Sequence, residues 1–234
     1  MSVSANKITV DIWSDVICPF CWIGKSHFER ALEGFTHKSD VEVRYHAYRL
    51  GPDAPRVPVG DMLRQKYGLS VEQAAQNQSR VEQMAAATGL SMKLEGTFYG
   101  DTLKAHRLIK LAEDKGLAAE AVERLYHAYF SEGRDIFSDE SLVALAADIG
   151  LEAADAEAFL LTDRYADTVQ EEQEFISMRG VQGVPFFVVN SRYAVSGAQP
   201  PEAFANVLSR AWDELPPEAK TGSGPACDDG VCAV

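Results

Sequence analysis

The chain of 234 residues carries 35 Asp and Glu against 22 Lys and Arg, a formal net charge of −13. Such a surface repels phosphate backbones and anionic bilayers, so neither nucleic acid nor membrane is an expected partner. No stretch approaches the ~20 apolar residues that span a bilayer, and 46% hydrophobic with 24% charged residues describes a soluble globular protein long enough for a buried core.

The opening MSVSANK has no apolar stretch followed by a small-residue cleavage site, so a cytoplasmic location is expected. Ile8, Val10 and Ile12 then alternate with Thr9, Asp11 and Trp13, a period of two that predicts a strand. Cys18-Pro19-Phe20-Cys21 follows at once. Pro19 suits the first turn of a helix, where a missing N–H costs nothing, and the helix is expected to run through Phe28 and Leu32 toward Gly34. A second alternating run, Val41 to Tyr48, predicts another strand. The first fifty residues thus read as a βαβ unit with parallel strands.

Pro52, Pro55, Pro58 and Gly60 mark a loop. From Asp61 to about Arg179 the chain is rich in Ala, Glu, Gln and Leu, with Gly68, Gly89, Gly100, Gly116, Gly133 and Gly150 expected to separate helices. Ala105, Leu108, Ile109 and Ala112 share one helical face, and Glu171, Glu172 and Glu174 are expected on a solvated one. β-rich sequence returns with Val184-Pro185-Phe186-Phe187-Val188-Val189. Asn190-Ser191 reads as a hairpin turn and Tyr193 to Val195 as the partner strand. Pro200 and Pro201 lie near the start of a last helix with Phe204, Val207, Leu208, Ala211, Trp212 and Leu215 on one face. The reading is an α/β protein: residues 1–50 and 180–215 form one domain, 51–179 an all-helical insertion, and 216–234 a tail whose composition predicts mobility.

The four cysteines form two close pairs, Cys18 with Cys21 and Cys227 with Cys232. Isolated pairs in a large chain point to redox chemistry or metal binding rather than a disulfide scaffold. Thiol–disulfide exchange needs one thiolate to attack and a second thiol to resolve the mixed disulfide. At a helix N-terminus the macrodipole and free N–H groups stabilise negative charge, which suits Cys18 as attacker. Cys21, one turn on and less exposed, suits the resolver. The competing reading is a zinc site with all four thiolates as ligands; metal knuckles rarely open a long helix after a strand, so redox is preferred. Val184-Pro185 is open between an ordinary trans proline at a strand start and a cis proline in a peptide-docking loop. The remaining histidines, His27, His37, His46 and His127, show no metal-ligand spacing.

The run WSDVICPFCWIGK, then HRL at residues 106–108, GVQGVPFFVVN and SGAQP, together and in this order, resembles the DsbA-like family of thioredoxin-fold proteins and most of all its FrnE branch. The resemblance covers about Ile8 to Leu215. It implies a thioredoxin-like fold with a large helical insertion, disulfide exchange on protein substrates, a cis Pro185 beside the active site, and His106 facing the cleft. The alternative for His106 is a satisfied buried side chain. Thioredoxin-like proteins often keep an acid on the strand before the motif, where Asp11 lies, although a solvated carboxylate is the simpler reading there. FrnE-like proteins also carry a C-terminal cysteine pair, here Cys227 and Cys232. One departure is Phe20: a His at this position, as in DsbA, favours a thiolate electrostatically, and a Phe does not.

The expected partners are therefore protein or peptide thiols and disulfides and a recycling reductant or oxidant. No organic cofactor is expected, because the dithiol itself carries the electrons. Two rivals remain. One is a glutathione-binding transferase or isomerase of the same fold, a group that typically has Ser in place of the first cysteine. The other is a redox-independent holdase that uses the helical insertion.

Overall fold

A computed structural model describes residues 7–216. Strand β1 (Ile8–Ser14) buries Ile8, Val10 and Ile12. Helix α1 (Pro19–Glu33) begins immediately behind Cys18 and stops at Gly34. A 3₁₀ turn, Lys38–Asp40, leads into β2 (Val41–Ala47), which lies parallel to β1 with Ile8 opposite Val41 and Ser14 opposite Ala47.

The insertion follows: β3 (Val57–Pro58), α2 (Val59–Tyr67), α3 (Val71–Ala87), β4 (Phe98–Tyr99), α4 (Leu103–Glu113), α5 (Ala118–Tyr126), α6 (Asp139–Asp148), α7 (Ala153–Leu160) and α8 (Ala166–Ser177). It is helical apart from the antiparallel pair β3–β4, in which Val57 faces Tyr99. Gly68 ends α2 at φ +66°, a left-handed conformation that side chains resist. Ser70 and Gln73 then close a reciprocal capping box that starts α3. Helix α5 runs on into one π-helical turn, His127–Ser131, whose Phe130 stacks on Trp22 of α1 at 5.7 Å. Among the described residues no helix is long and apolar enough to cross a membrane.

The chain returns through β5 (Phe186–Val189), β6 (Tyr193–Ser196) and α9 (Pro201–Asp213). Asn190 and Ser191 both adopt positive φ in the hairpin turn, and Asn190 exchanges hydrogen bonds with the backbone of Thr9. The sheet order is β2-β1-β5-β6, with β5 antiparallel to both β1 and β6. One sheet face packs on α1 and α9, where Phe28, Phe187 and Phe204 meet with centroids 4.7–5.9 Å apart.

The other face receives α8. Trp13 stacks on His46 at 4.5 Å and on Phe175 at 6.1 Å. His46 Nε2 lies 2.8 Å from Asp11 Oδ1, and its Nδ1 lies 3.1 Å from Glu172 Oε1. The Ala47 N–H donates to Glu172 Oε2 at 2.7 Å, and Lys110 Nζ reaches Glu172 Oε1 at 2.5 Å and the Tyr45 carbonyl at 2.9 Å. Glu172 is therefore not on a solvated face as its acidic neighbours suggested. The periodicity of a helix says which residues share a face, but not that a histidine and a lysine wait beneath it.

Burial works against the His46 imidazolium, but the hydrogen bonds to Asp11 and Glu172 outweigh it and hold the group above its ordinary range. Burial likewise works against the Glu172 carboxylate, and the His46 hydrogen bond and the Lys110 charge overcome it and hold the group below its range. A raised histidine stabilises in full below its unfolded value, about 6.5, and that contribution is lost as pH rises through the folded value; a lowered glutamate stabilises above about 4.3 and loses its contribution as pH falls through the folded value. The network thus contributes most between about pH 4.3 and 6.5. His46→Gln should flatten the decline in stability on the alkaline side of this window. Urea midpoints measured against pH for both proteins check this, and parallel curves there would refute it.

Candidate active site

Cys18 is the N-cap of α1, with extended backbone angles (φ −91°, ψ 111°) that set it off the end of the helix, and Pro19 opens the first turn. Its N–H donates to the Asp15 carbonyl and its own carbonyl accepts from the Cys21 N–H, both at 3.0 Å. The two thiols are free and both are buried, Cys18 at 4% exposure and Cys21 at 1%. Burial pushes the Cys21 thiol well above its ordinary range, and the hydrogen bond with Cys18 and the Cys18 charge push it further. The Cys18 thiol points the other way, to the Val184 carbonyl oxygen at 3.6 Å, while the positive end of the α1 dipole stands behind it. Phe20, at 40% exposure, forms the outward surface of the motif.

The Val184–Pro185 bond is cis. Pro185 precedes β5, so its missing N–H costs the ladder nothing, and its carbonyl accepts from Gly197 at 2.8 Å. A groove of about 560 Å³ runs along this loop, lined by Gln182, Gly183, Val184, Pro185, Phe186 and Gly197 among others. Gly24 lets α1 approach it: a β-carbon at Gly24 would lie 2.9 Å from Pro185 Cγ and 3.3 Å from Ala198 Cα.

Cys18, Pro19, Phe20, Cys21, Val184 and Pro185 are thus gathered at one end of the sheet. His106, on α4, lies behind them, 3% exposed. It connects through a residue that the sequence did not single out, Asp15. This carboxylate has no exposed surface and accepts from Leu50 N at 2.6 Å and Ile17 N at 3.5 Å; His106 Nε2 stands 3.4 Å from its Oδ1. The available signal was an Asp between strand and helix, a residue type that bonds the N–H two positions on. Asp11 does not join the site: its carboxylate is held by His46 on the α8 face of the sheet. Cys227 and Cys232 lie outside the described residues.

Residues 9–209 match the family model of the DSBA-like thioredoxin domain. Among solved structures, a Streptomyces coelicolor protein described as a probable DsbA oxidoreductase is 39% identical, with 97% of this chain and 99% of that one covered and a TM-score of 0.85. The cytosolic disulfide reductase DsbM of Pseudomonas aeruginosa, solved with GSH, shares the fold at 22% identity, covering 88% of this chain and 99% of its own, with a TM-score of 0.62. The uncharacterized protein YwbO of Bacillus subtilis is 26% identical over 206 residues, 86% of this chain and 96% of that protein.

Gly24→Ala should disturb the site from within α1. Overpacking of this kind costs about 1–3 kcal/mol, against a gain of about 1 kcal/mol in helix propensity, and the Pro185 ring has little freedom to yield. A lower denaturation midpoint and slower reaction of Cys18 with disulfides are expected. Gly34→Ala is the control: nothing lies nearer than 3.8 Å, so it should be neutral or slightly stabilising.

Proposed function

Because the chain belongs to the DSBA-like thioredoxin domain family, a family of thiol–disulfide oxidoreductases, we propose that it exchanges disulfides with protein or peptide substrates through Cys18 and Cys21. The observation that carries this reading is Cys18 at the N-terminus of α1, facing the Val184 carbonyl with the groove beside Pro185 alongside. The Cys18 thiolate attacks a substrate sulfur and one substrate thiolate leaves. Cys21 then attacks Cys18, closing the Cys18–Cys21 disulfide and releasing the second substrate thiolate, so the substrate gains the two electrons that the dithiol loses. Run in reverse, the same steps oxidise a substrate dithiol, and incomplete cycles isomerise one. Residues 183–185 present backbone to a bound peptide in extended form. A recycling reductant or oxidant completes the cycle, the dithiol serves without an organic cofactor, and the cytoplasm is the proposed location.

Two further elements belong to this reading. Cys227 and Cys232 act as a second redox pair that exchanges with the first. In a Cys21→Ser variant, Cys18 should be trapped in a mixed disulfide with Cys227 or Cys232 of the same chain. Peptide mapping detects it, and a yield that falls on dilution would rule out the intramolecular route. Glutathione is the small-molecule alternative as substrate or recycling thiol. The fold shared with a reductase solved with GSH favours it, and saturable glutathione binding with transferase or isomerase turnover would replace the main reading.

The assignment of roles is tested by alkylation. At pH below neutrality the reduced protein should be labelled at Cys18 well before Cys21, because burial holds Cys21 protonated. Equal labelling, or preference for Cys21, reverses the roles. Cys18→Ser should abolish catalysed insulin reduction.

A further inference from the structure

Resting on the exchange reading above, we infer that Asp15 and His106 form a buried proton relay for Cys21, the resolving thiol. Cys21 has to lose its proton before it can attack the Cys18 mixed disulfide, and it lies where solvent does not reach, at 1% exposure. A base inside the protein is therefore needed, and the acid on the preceding strand, Asp11, is spent on His46 across the sheet.

Asp15 is near enough for its charge to bear on Cys21. Among the described residues its one ion-pairing partner is His106, whose Nε2 stands 3.4 Å from Oδ1 and makes no hydrogen bond. A buried histidine with a purely structural role would have that nitrogen bonded, since an unmade bond costs about 1–3 kcal/mol. Nor does the loop need the imidazole for its shape, because the Leu50 and Ile17 N–H groups already hold the carboxylate. A nitrogen left free beside a carboxylate is a place for a proton in transit.

The other groups around the pair do not substitute for it. Tyr126, at the end of α5, donates to the Asp15 carbonyl at 3.4 Å, and its hydroxyl is pushed well above the ordinary range by burial and then by the Cys21 charge. Tyr129 and Tyr99 feel the Asp15 charge and are likewise raised, chiefly by burial. Of the neighbouring cations, Arg107 turns to the carbonyls of Phe159, Thr162 and Arg164, and Arg49 to Asp101 and Gln170.

The step balances as follows. The Cys21 S–H bond breaks and its proton passes to the Asp15–His106 pair. The Cys21 thiolate forms the S–S bond to Cys18 as the Cys18–substrate S–S bond breaks. The substrate leaves as a thiolate, reduced by the electrons the dithiol has lost. In the reverse direction the pair returns the proton to Cys21 as it departs from Cys18. Asp15 and His106 touch no substrate atom and are positioning residues for that proton.

Dithionitrobenzoate, an aromatic disulfide with a coloured leaving thiolate, separates the steps. A Cys227→Ser/Cys232→Ser background keeps those thiols from contributing dye. Attack by Cys18 releases the first thiolate and resolution by Cys21 the second. His106→Gln should slow the second phase at least about tenfold, leave the first within about twofold, and change the pH profile of the second. With the relay, that rate levels off once the pair is deprotonated; without it, the rate should rise in proportion to hydroxide. A second phase unchanged by His106→Gln, or both phases slowed alike, overturns the relay. If the variant does not fold, the unmodified His106 protein decides: a plateau supports the relay and a rise in proportion to hydroxide throughout removes it. If Cys18 itself does not react, the proposed function fails, and that outcome is read from the first phase alone.

Discussion

A carboxylate without exposed surface must find its partners inside the protein or destabilise it by several kcal/mol. Asp15 finds them on every side. Its side chain binds the N–H groups of Ile17 in its own loop and Leu50 beyond β2, its carbonyl receives Cys18 and Tyr126, and α4 contributes His106. The turn from β1 into α1 is therefore fixed by elements from three separate stretches of chain. The Cys18 backbone is held by that turn, so the geometry of the dithiol motif depends on long-range contacts as much as on the helix it opens.

The two sheet faces are held by different physics. Toward α1 and α9 the contacts are apolar, with Phe28, Phe187 and Phe204 in mutual contact, and burying side chains of this size contributes about 1.5–3 kcal/mol each. Toward α8 a histidine, a lysine and two carboxylates meet under partial cover. Exposed ion pairs elsewhere, such as Arg192 with Glu214, contribute about 0–1 kcal/mol each. The Glu172 cluster differs because breaking it would leave charges already withdrawn from water. The α8 face is thus specified more by pairing than by area.

What the sequence disclosed follows the range of the interactions. The alternation of Ile8, Val10 and Ile12, Pro19 at the first helical turn, and Gly34 and Gly68 at helix ends are local signals, and the first βαβ unit and the run of helices were legible from them. The antiparallel placement of β5 beside β1 also had a local sign in the Asn190-Ser191 turn. The pair β3–β4 had none, since two residues are too short for a period. Asp15 and Glu172 were illegible for a different reason: each looks like an ordinary surface acid until His106 or His46 and Lys110 are brought to it from far along the chain. Asp11 shows the converse, since its position on the strand was readable but the direction in which its partner lay was not.

The depth of Cys18 also decides what can harm it. Peroxide carries a thiolate to sulfenic acid and then irreversibly to sulfinic acid, and susceptibility follows exposure as well as charge. A sulfur 4% exposed and turned to the Val184 carbonyl offers small diffusing oxidants little surface, and Cys21 lies in contact to trap a sulfenic acid as a disulfide before a second oxygen arrives. The burial that slows indiscriminate encounters leaves a route for a partner able to dock along the neighbouring groove. The same cover that narrows the substrate range prolongs the working life of the sulfur.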